Sequence, residues 1–222
     1  MSEVFGHVAD TLKSDTHYSE LTSDQTLDSE VSVRILVTAF GPFAGRSENA
    51  SSLALRGLKQ CFPKILTRVL PVDSVIAPAR LKQAIRQIRP TALIMLGEAA
   101  GSKKIRLETT AWNELDFSIP DIAGRQPLSQ PIIRGASDCL SSTLPLDQIH
   151  ARLTDERHEV CFSDDPGRYL CNQVYFVARH FIESHAIACP AGFIHLPLDH
   201  DYPTSRAADA LAETIRLLGA GN

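Results

Sequence analysis

The residue with the clearest chemical potential is Cys171, which stands at the start of a predicted helix. It follows the segment D-P-G-R-Y-L at residues 165–170 and precedes an apolar-periodic stretch over residues 172–183. A thiol at a helix N-terminus lies at the positive end of the helix dipole, which favours the nucleophilic thiolate. Cys171 is therefore a candidate nucleophile, provided that the fold supplies a base and an orienting group.

The best-placed base is His195, which lies in F-I-H-L-P at residues 193–197, at the C-terminal end of a predicted strand. The other histidines lie in polar, helical or N-terminal surroundings, apart from His200, which is in a loop and stays a second candidate. His195 has a structural alternative, a buried ring satisfied by a backbone carbonyl. Its position alone gives the two interpretations equal weight.

Glu108 is the candidate for the orienting group. It interrupts I-R-L-E-T-T-A at residues 105–111, where a buried carboxylate would need a partner. An imidazole N–H would serve, and the pair would stabilise the imidazolium as the thiol loses its proton. The alternative is an edge-strand glutamate that points at water, and position alone favours that alternative.

The elements that must position these side chains alternate between short apolar strands and amphipathic helices. This alternation predicts a single α/β domain with helices on both faces of a central sheet. We predict strands at residues 35–37, 65–72, 92–96, 105–109, 159–163 and 192–196, and helices at residues 49–58, 78–89, 172–183 and 207–218.

Ligands bind beyond the carboxyl ends of the strands in such sheets. That rule selects the loops that follow strands, namely residues 40–49, 97–104 and 163–171 and the segment from His195 onward.

Length and composition suit one domain with a substantial core, since the 222 residues are 44% hydrophobic and 22% charged. We assign this domain to residues 31–222 and treat residues 1–30, which are polar and aperiodic, as an N-terminal extension. The net charge of -4 offers no electrostatic footprint for nucleic acid or an anionic membrane. Apolar runs such as residues 92–96 are too short to cross a bilayer.

The chain has five cysteines, an odd number, and no short CxxC pair. This pattern indicates neither a disulfide framework nor a structural zinc site. The N-terminus has no basic start followed by an apolar block, so we predict no signal peptide. We expect a cytoplasmic protein, because a reducing compartment keeps a catalytic thiol reduced.

Several short motifs follow one another along residues 34–218. They read T-A-F-G-P-F-A-G (38–45), L-G-E-A-A-G (96–101), I-P-D with Q-P (119–121 and 126–127), Y-L-C-N (169–172) and A-G-F-I-H-L-P (191–197). They resemble, in order, the T-G-F-x-P-F-G-G, V-G-Q-A-G-G, I-P-D-N-x-G-x-Q-P, F/Y-V-C-N and G-F-I-H-x-P motifs of the pyroglutamyl-peptidase I (pyrrolidone-carboxylate peptidase) family. Residues 105–113 resemble the segment around that family's catalytic glutamate. Several motifs in one order are far more specific than any single one.

The resemblance implies a central twisted, mixed, mostly parallel sheet with helices on both faces, in a phosphorylase/hydrolase-like arrangement. It also implies a triad of Glu108, Cys171 and His195, the three positions that the residues had already suggested. It implies a cysteine exopeptidase that removes N-terminal pyroglutamate (5-oxoproline) from small peptides by thiol acyl transfer, with no metal and no cofactor. Because members of the family are often oligomeric, it also implies a homo-oligomer.

The resemblance further matches six residues to positions around the substrate ring: Phe40, Phe43, Asn49, Glu98, Ile119 and Leu170. Pyroglutamate is a flat, uncharged lactam, which suits apolar and aromatic walls with a few hydrogen bonds. Core packing is the alternative for the two phenylalanines, but a Phe-x-x-Phe pair in a strand-to-helix loop is harder to bury.

The chain departs from the family motifs near the predicted site. Ser118 replaces an arginine thought to stabilise the oxyanion, and the loss of one oxyanion donor costs about 10²–10³ in rate. Glu98 replaces a glutamine, and a carboxylate there would accept from the lactam N–H but repel its carbonyl oxygen unless protonated. Further differences are Ser102 for an arginine, P-G-R for A-G-T at residues 166–168, and Gln173 for a histidine.

Two explanations of these departures stay open. Arg168 or Arg106 supplies the missing positive charge from another direction, or the pocket has drifted to another substrate or to weak activity. The alternatives to a pyroglutamyl peptidase are therefore a related cysteine amidase for another lactam or N-acyl substrate, and a non-catalytic binding protein on the same fold.

Overall fold

Eight strands and five helices form within residues 33–219, the part of the chain that this computed structural model describes. The extension predicted for residues 1–30 lies outside the described residues. In chain order the elements are β1 (Ile35–Phe40), α1 (Ala50–Cys61), β2 (Leu66–Leu70), α2 (Ile76–Ile88), β3 (Ala92–Glu98), β4 (Ile105–Glu108), β5 (Thr110–Trp112), β6 (Cys139–Ser141), α3 (Leu146–Asp155), β7 (Val160–Ser163), α4 (Leu170–Ser184), β8 (Ala191–Leu196) and α5 (Thr204–Gly219).

Six of the strands form one sheet in the order β2-β1-β3-β8-β4-β7. Neighbours run parallel except β4 and β8, which pair antiparallel, and β7 follows the direction of β4. Strands β5 and β6 form a separate antiparallel pair. The predicted α/β fold with a mixed, mostly parallel sheet is confirmed.

The helices cover both faces of the sheet, as predicted. Helices α1, α3 and α5 pack together on one face, where Leu58 and Leu211 belong to the buried cluster. Helices α2 and α4 cover the other face, where Leu81 and Phe176 meet the strands. The central strands β1, β3 and β8 are buried between these layers, which explains their nearly continuous apolar sequences.

Local sequence signals set the ends of the helices. The side chain of Asn49 accepts a hydrogen bond from the N–H of Ser51 and so caps α1. Helix α2 stops at Arg89, which adopts a left-handed conformation (φ 49°) directly before Pro90. Within residues 33–219, no helix combines the length and the apolar character needed to cross a membrane.

All ten predicted elements are present, with ends that shift by a few residues. Three elements were not predicted. Strands β5 and β6 have three residues each, too few for a period to be recognised. Helix α3 has apolar residues at helical spacing, but it has only ten residues and no side-chain cap at its start, so no clear start signal marks it.

Candidate active site

Glu108 and His195 form a buried hydrogen-bonded pair. Glu108 Oε1 lies 2.8 Å from Nδ1 of His195, and the two residues are 0% and 5% exposed. Strands β4 and β8 pair antiparallel, with Arg106 opposite His195 and Glu108 opposite Phe193, so the carboxylate and the ring are diagonal neighbours on one face. Two alternatives are therefore wrong: that Glu108 points at water, and that His195 is satisfied by a backbone carbonyl.

The pairing fixes the orientation and tautomer of the histidine ring. A carboxylate only accepts hydrogen bonds, so Nδ1 of His195 carries the proton and donates to Glu108. Arg106 supports the carboxylate, with Nε 3.3 Å from the same Oε1. Nε2 of His195 is thereby left as the nitrogen that can exchange a proton with a nucleophile.

Cys171 is the second residue of α4, so its thiol lies at the N-terminal end of that helix. It packs directly over Gly97 of β3, where an added β-carbon would lie 2.8 Å from Sγ and 2.7 Å from the Phe193 ring. Gly97 is in turn the register partner of His195 on β8. The absence of a side chain at Gly97 thus leaves room for the thiol beside His195.

The environment of His195 favours the imidazolium. Burial acts to lower its pKa, but the neighbouring Cys171 and then Glu108 stabilise the charged ring and raise the pKa from 6.5 to about 9. A histidine that stays protonated beside a cysteine is the partner that a thiolate nucleophile requires.

Two residues of α4 tie the helix to the chain that carries Glu108. The side-chain amide of Asn172 accepts from the N–H of Trp112 at 2.8 Å and donates to the carbonyls of Trp112 and Glu114 at 2.8 and 2.9 Å. The Tyr175 hydroxyl donates to the carbonyl of Glu108 at 3.0 Å. These bonds hold the thiol in register with the Glu108–His195 pair.

A cavity of about 370 Å³ opens next to Cys171, within the usual size range of small-molecule pockets. All six residues that the resemblance matched to the substrate ring line it: Phe40, Phe43, Asn49, Glu98, Ile119 and Leu170. Five further lining residues are Arg46, Val72, Ala100, Ser118 and Tyr169. The structure thus brings the predicted residues together, and their role toward a substrate stays a prediction.

The walls of this cavity are largely aromatic and aliphatic. Phe40 is buried at the end of β1, and Tyr169 packs against Phe43 with ring centroids 5.5 Å apart. Ile119 lies at the rim and is 44% exposed. Asn49 also lines the cavity, but its side-chain oxygen, Oδ1, already accepts hydrogen bonds from the N–H and the hydroxyl of Ser51.

Glu98 is not an isolated carboxylate in this cavity. It forms an ion pair with Arg46 and accepts a hydrogen bond from the N–H of Ala50 at 2.8 Å. Sequence reasoning missed Arg46, although this arginine lies in the loop of residues 40–49 that it had selected. Its place in a loop that follows a strand was the signal that could have identified Arg46 as a pocket residue.

The two arginines proposed to replace the missing cation do not line the cavity. Arg168 binds Glu114 and Asp165, each at 2.7 Å, and stacks on Trp112. Arg106 lies against Glu108. The hypothesis that either arginine reaches the pocket from another direction is therefore not supported.

His200, the second candidate base, lies at the surface and pairs with Asp201 rather than with a cysteine. Among residues 33–219, no three histidine, cysteine or acidic side chains cluster in a way that would hold a metal ion.

An α/β sheet that presents a cysteine at a helix N-terminus, beside a histidine held by a buried carboxylate, is the arrangement of a cysteine hydrolase that works by acyl transfer. Comparison with known proteins identifies which kind. The family model described as pyroglutamyl peptidase matches residues 33–209. The chain belongs to the pyroglutamyl peptidase family of cysteine peptidases.

Individual relatives agree with this assignment. The chain is 34% identical over 187 residues to the pyrrolidone-carboxylate peptidase of Thermococcus kodakarensis, a match that covers 83% of this chain and 91% of that protein. It is 33% identical to the enzyme of the same name from Pyrococcus furiosus, over 74% and 81% of the two chains. The solved pyrrolidone carboxyl peptidase from Thermococcus litoralis superposes with a TM-score of 0.79 at 29% identity, covering 85% of this chain and 94% of that one.

Proposed function

We propose that this protein is a cysteine exopeptidase that removes N-terminal pyroglutamate from small peptides. The observation that carries the proposal is the buried 2.8 Å hydrogen bond between Glu108 and His195, adjacent to a thiol that borders an apolar cavity. Membership of the pyroglutamyl peptidase family supports the same substrate.

The reaction begins with acyl transfer to Cys171. The thiolate attacks the carbonyl carbon that joins pyroglutamate to the next residue, and the C=O bond becomes a C–O⁻ oxyanion. His195, which holds the proton taken from the thiol, donates it through Nε2 to the departing amine as the C–N bond breaks. A pyroglutamyl thioester on Cys171 remains.

Water then hydrolyses the thioester. His195 removes a proton from the attacking water, and the C–S bond breaks with Cys171 leaving as the thiolate. Free pyroglutamate departs, and the thiolate beside protonated His195 is restored. The Glu108 carboxylate accepts from Nδ1 of His195 and stabilises the imidazolium in both steps.

The oxyanion is served by the first turn of α4. The first turn of a helix leaves backbone N–H groups without intrahelical partners, and no side-chain cap from Tyr169 competes for them, so in this proposal the N–H groups of Leu170 and Cys171 donate to the oxyanion. Ser118 lines the cavity where family motifs have an arginine, and its hydroxyl offers only a neutral donor. We therefore expect a lower kcat than a homologue with that arginine would have.

The pocket suits a lactam because its walls are apolar and its charged residues pair with each other. Phe40, Phe43 and Tyr169 provide flat surfaces against a planar ring, and Leu170 closes the side next to the nucleophile.

Release of a fluorogenic amine tests the proposal. The wild type should hydrolyse a pyroglutamyl amide and leave the matching prolyl amide nearly untouched, and Cys171→Ala should abolish the signal. Cys161→Ala is the matched control, because Cys161 is a partly exposed cysteine outside the cavity. The absence of pyroglutamyl-dependent signal from folded wild type would reject the proposal.

We also propose that the protein works in the cytoplasm and assembles into a homo-oligomer. A reducing compartment keeps Cys171 available as a thiol, and all five cysteines are free. The resemblance to a family with frequent oligomers supports the assembly. Cell fractionation and sedimentation velocity test these points, and a monomer at working concentration would contradict the second.

A further inference from the structure

One charged pair stands in the otherwise mostly apolar cavity beside Cys171. We propose that Arg46 and Glu98 form a polar clamp that binds the N–H and C=O groups on the amide edge of the substrate ring. The clamp makes the pocket selective for a lactam over an N-terminal ring whose amine is protonated. The inference rests on the proposed function, because it names how that same site recognises its substrate.

Glu98 is held as an acceptor facing the cavity. It ends β3, one residue after the Gly97 position over which Cys171 packs, and its side chain is only 7% exposed. The N–H of Ala50, the first residue of α1, donates to its Oε2 at 2.8 Å. The positive end of a helix favours a carboxylate there, and each carboxylate oxygen can accept a further hydrogen bond.

Arg46 reaches Glu98 from the loop after β1. Ala44 and Gly45 adopt positive φ angles, and the N–H of Arg46 donates to the carbonyl of Phe43, so the chain turns back over the pocket. The guanidinium pairs with Oε1 of Glu98, and the Arg46 side chain remains 44% exposed. A guanidinium has five N–H donors, so donors remain for a ligand.

The chemistry of the pair matches a lactam. A ring amide is necessarily cis and presents its N–H and its C=O side by side on one edge. Glu98 accepts from the N–H, and Arg46 donates to the oxygen that an isolated carboxylate would repel. An N-terminal proline has the same ring size but carries a cationic amine and no ring carbonyl, so Arg46 both repels it and gains no acceptor.

The experiment compares kcat/KM for a pyroglutamyl amide and a prolyl amide. Arg46→Met should lower kcat/KM for the pyroglutamyl amide about 10- to 100-fold, mainly through KM, because it removes a charge-assisted hydrogen bond. Activity toward the prolyl amide should stay level or rise, because Glu98 is left as an unpaired anion. Adding Glu98→Gln should remove any gain toward the prolyl amide.

Arg56→Met is the matched control. Arg56 is an exposed arginine paired with Glu48, outside the cavity, and exposed pairs contribute little, so both rates should stay within about threefold of wild type. Binding of 2-pyrrolidinone and of pyrrolidine to Cys171→Ala provides a second readout without turnover. Arg46→Met should weaken only the lactam.

Two results would overturn the clamp proposal. One is an Arg46→Met variant whose kcat/KM is unchanged for both amides, and the other is a variant whose kcat/KM falls equally for both. Failure of the proposed function is distinguishable, because the wild type would then release no amine from the pyroglutamyl substrate. If the wild type is active and its activity depends on Cys171, but Arg46→Met is unaffected, only the clamp proposal is rejected and the proposed function stands.

Discussion

The orientation of a single ring decides whether Cys171 has a base. His195 is buried, and its Nδ1 donates to a carboxylate that is itself fully buried and supported by Arg106. Removing one partner of such a pair typically costs about 3–5 kcal/mol, because the other charge is left uncompensated. The pair therefore fixes both the tautomer of His195 and its affinity for a proton.

Replacement of the carboxylate tests this role. Glu108→Gln should lower kcat about 10²–10⁴-fold, because an amide neither enforces the tautomer nor stabilises the imidazolium. The wild-type pKa of His195 is raised to about 9, so activity should persist at lower pH and fall as pH rises through about 9. In Glu108→Gln this alkaline limb should move to lower pH. A pH–rate profile measures it, and an unmoved limb would contradict the role.

Gly97 leaves the space that the nucleophile occupies. A β-carbon there would come within 2.8 Å of Cys171 Sγ and 2.7 Å of the Phe193 ring. We expect Gly97→Ala to displace the thiol and lower kcat at least about 10-fold, at a stability cost of about 1–3 kcal/mol. Gly219→Ala, where a β-carbon meets nothing within 4 Å, is the control for kinetics and urea unfolding. Wild-type kcat in Gly97→Ala would contradict the packing argument.

At the scale of the elements, the sequence predicted which segments form strands and helices but not the direction of strands β4 and β7. Alternating apolar strands and helices predicted the sheet and both helical layers. Strands β4 and β7 run opposite to the other four, so the segment of residues 163–171 leaves the sheet in the opposite direction from the loops after β1, β3 and β8. Sequence periodicity reports burial and not strand direction, so the prediction of a mixed sheet did not say which strands are reversed.

The long segment between β5 and β6, which supplies Ser118 and Ile119, is anchored by Asp121. Its Oδ2 accepts from the N–H and the hydroxyl of Ser74 at 2.8 and 2.7 Å, and its Oδ1 accepts from Ala123 and Arg125 at 2.9 Å. Burial acts to raise the pKa of Asp121, but these hydrogen bonds outweigh it and hold the pKa well below its usual value. Asp121 thus couples the rim of the pocket to the start of α2.

Substitution of Asp121 should weaken this anchor in a pH-dependent way. A carboxylate with a depressed folded pKa stabilises the protein above its unfolded pKa of about 3.9 and loses that contribution as pH falls further. Asp121→Asn should therefore cost about 2–4 kcal/mol at neutral pH, and the difference from wild type should shrink below about pH 4.

Urea unfolding over this pH range measures the effect. Asp116→Asn is the control, because Asp116 is exposed in the same segment and accepts one hydrogen bond at 3.3 Å. An equal loss for both variants, or a loss independent of pH, would contradict the anchor.

For the molecule as a whole, the catalytic residues were easier to predict from the sequence than the contacts that surround the pocket. Residue type and place at the ends of elements made Cys171, His195 and Glu108 candidates. Position alone favoured a water-facing Glu108, and the family resemblance implied that the three form a triad. The Arg46–Glu98 pair was not, because it joins residues 52 positions apart, through a loop turn and a helix start that only the folded chain brings together. The same limit applies to Arg168, three residues before Cys171. It was one of two arginines considered as a source of the missing positive charge, but it binds Glu114 and Asp165 instead.

The central claim is that Cys171 carries the pyroglutamyl group during peptide cleavage. Rapid acid quenching of the wild type with excess pyroglutamyl amide, followed by peptide mapping with mass spectrometry, tests it most directly. We predict one pyroglutamyl thioester, on the peptide that contains Cys171, and no adduct or amine release with Cys171→Ala. A pyroglutamyl group on another residue, or undiminished amine release by Cys171→Ala, would contradict the account.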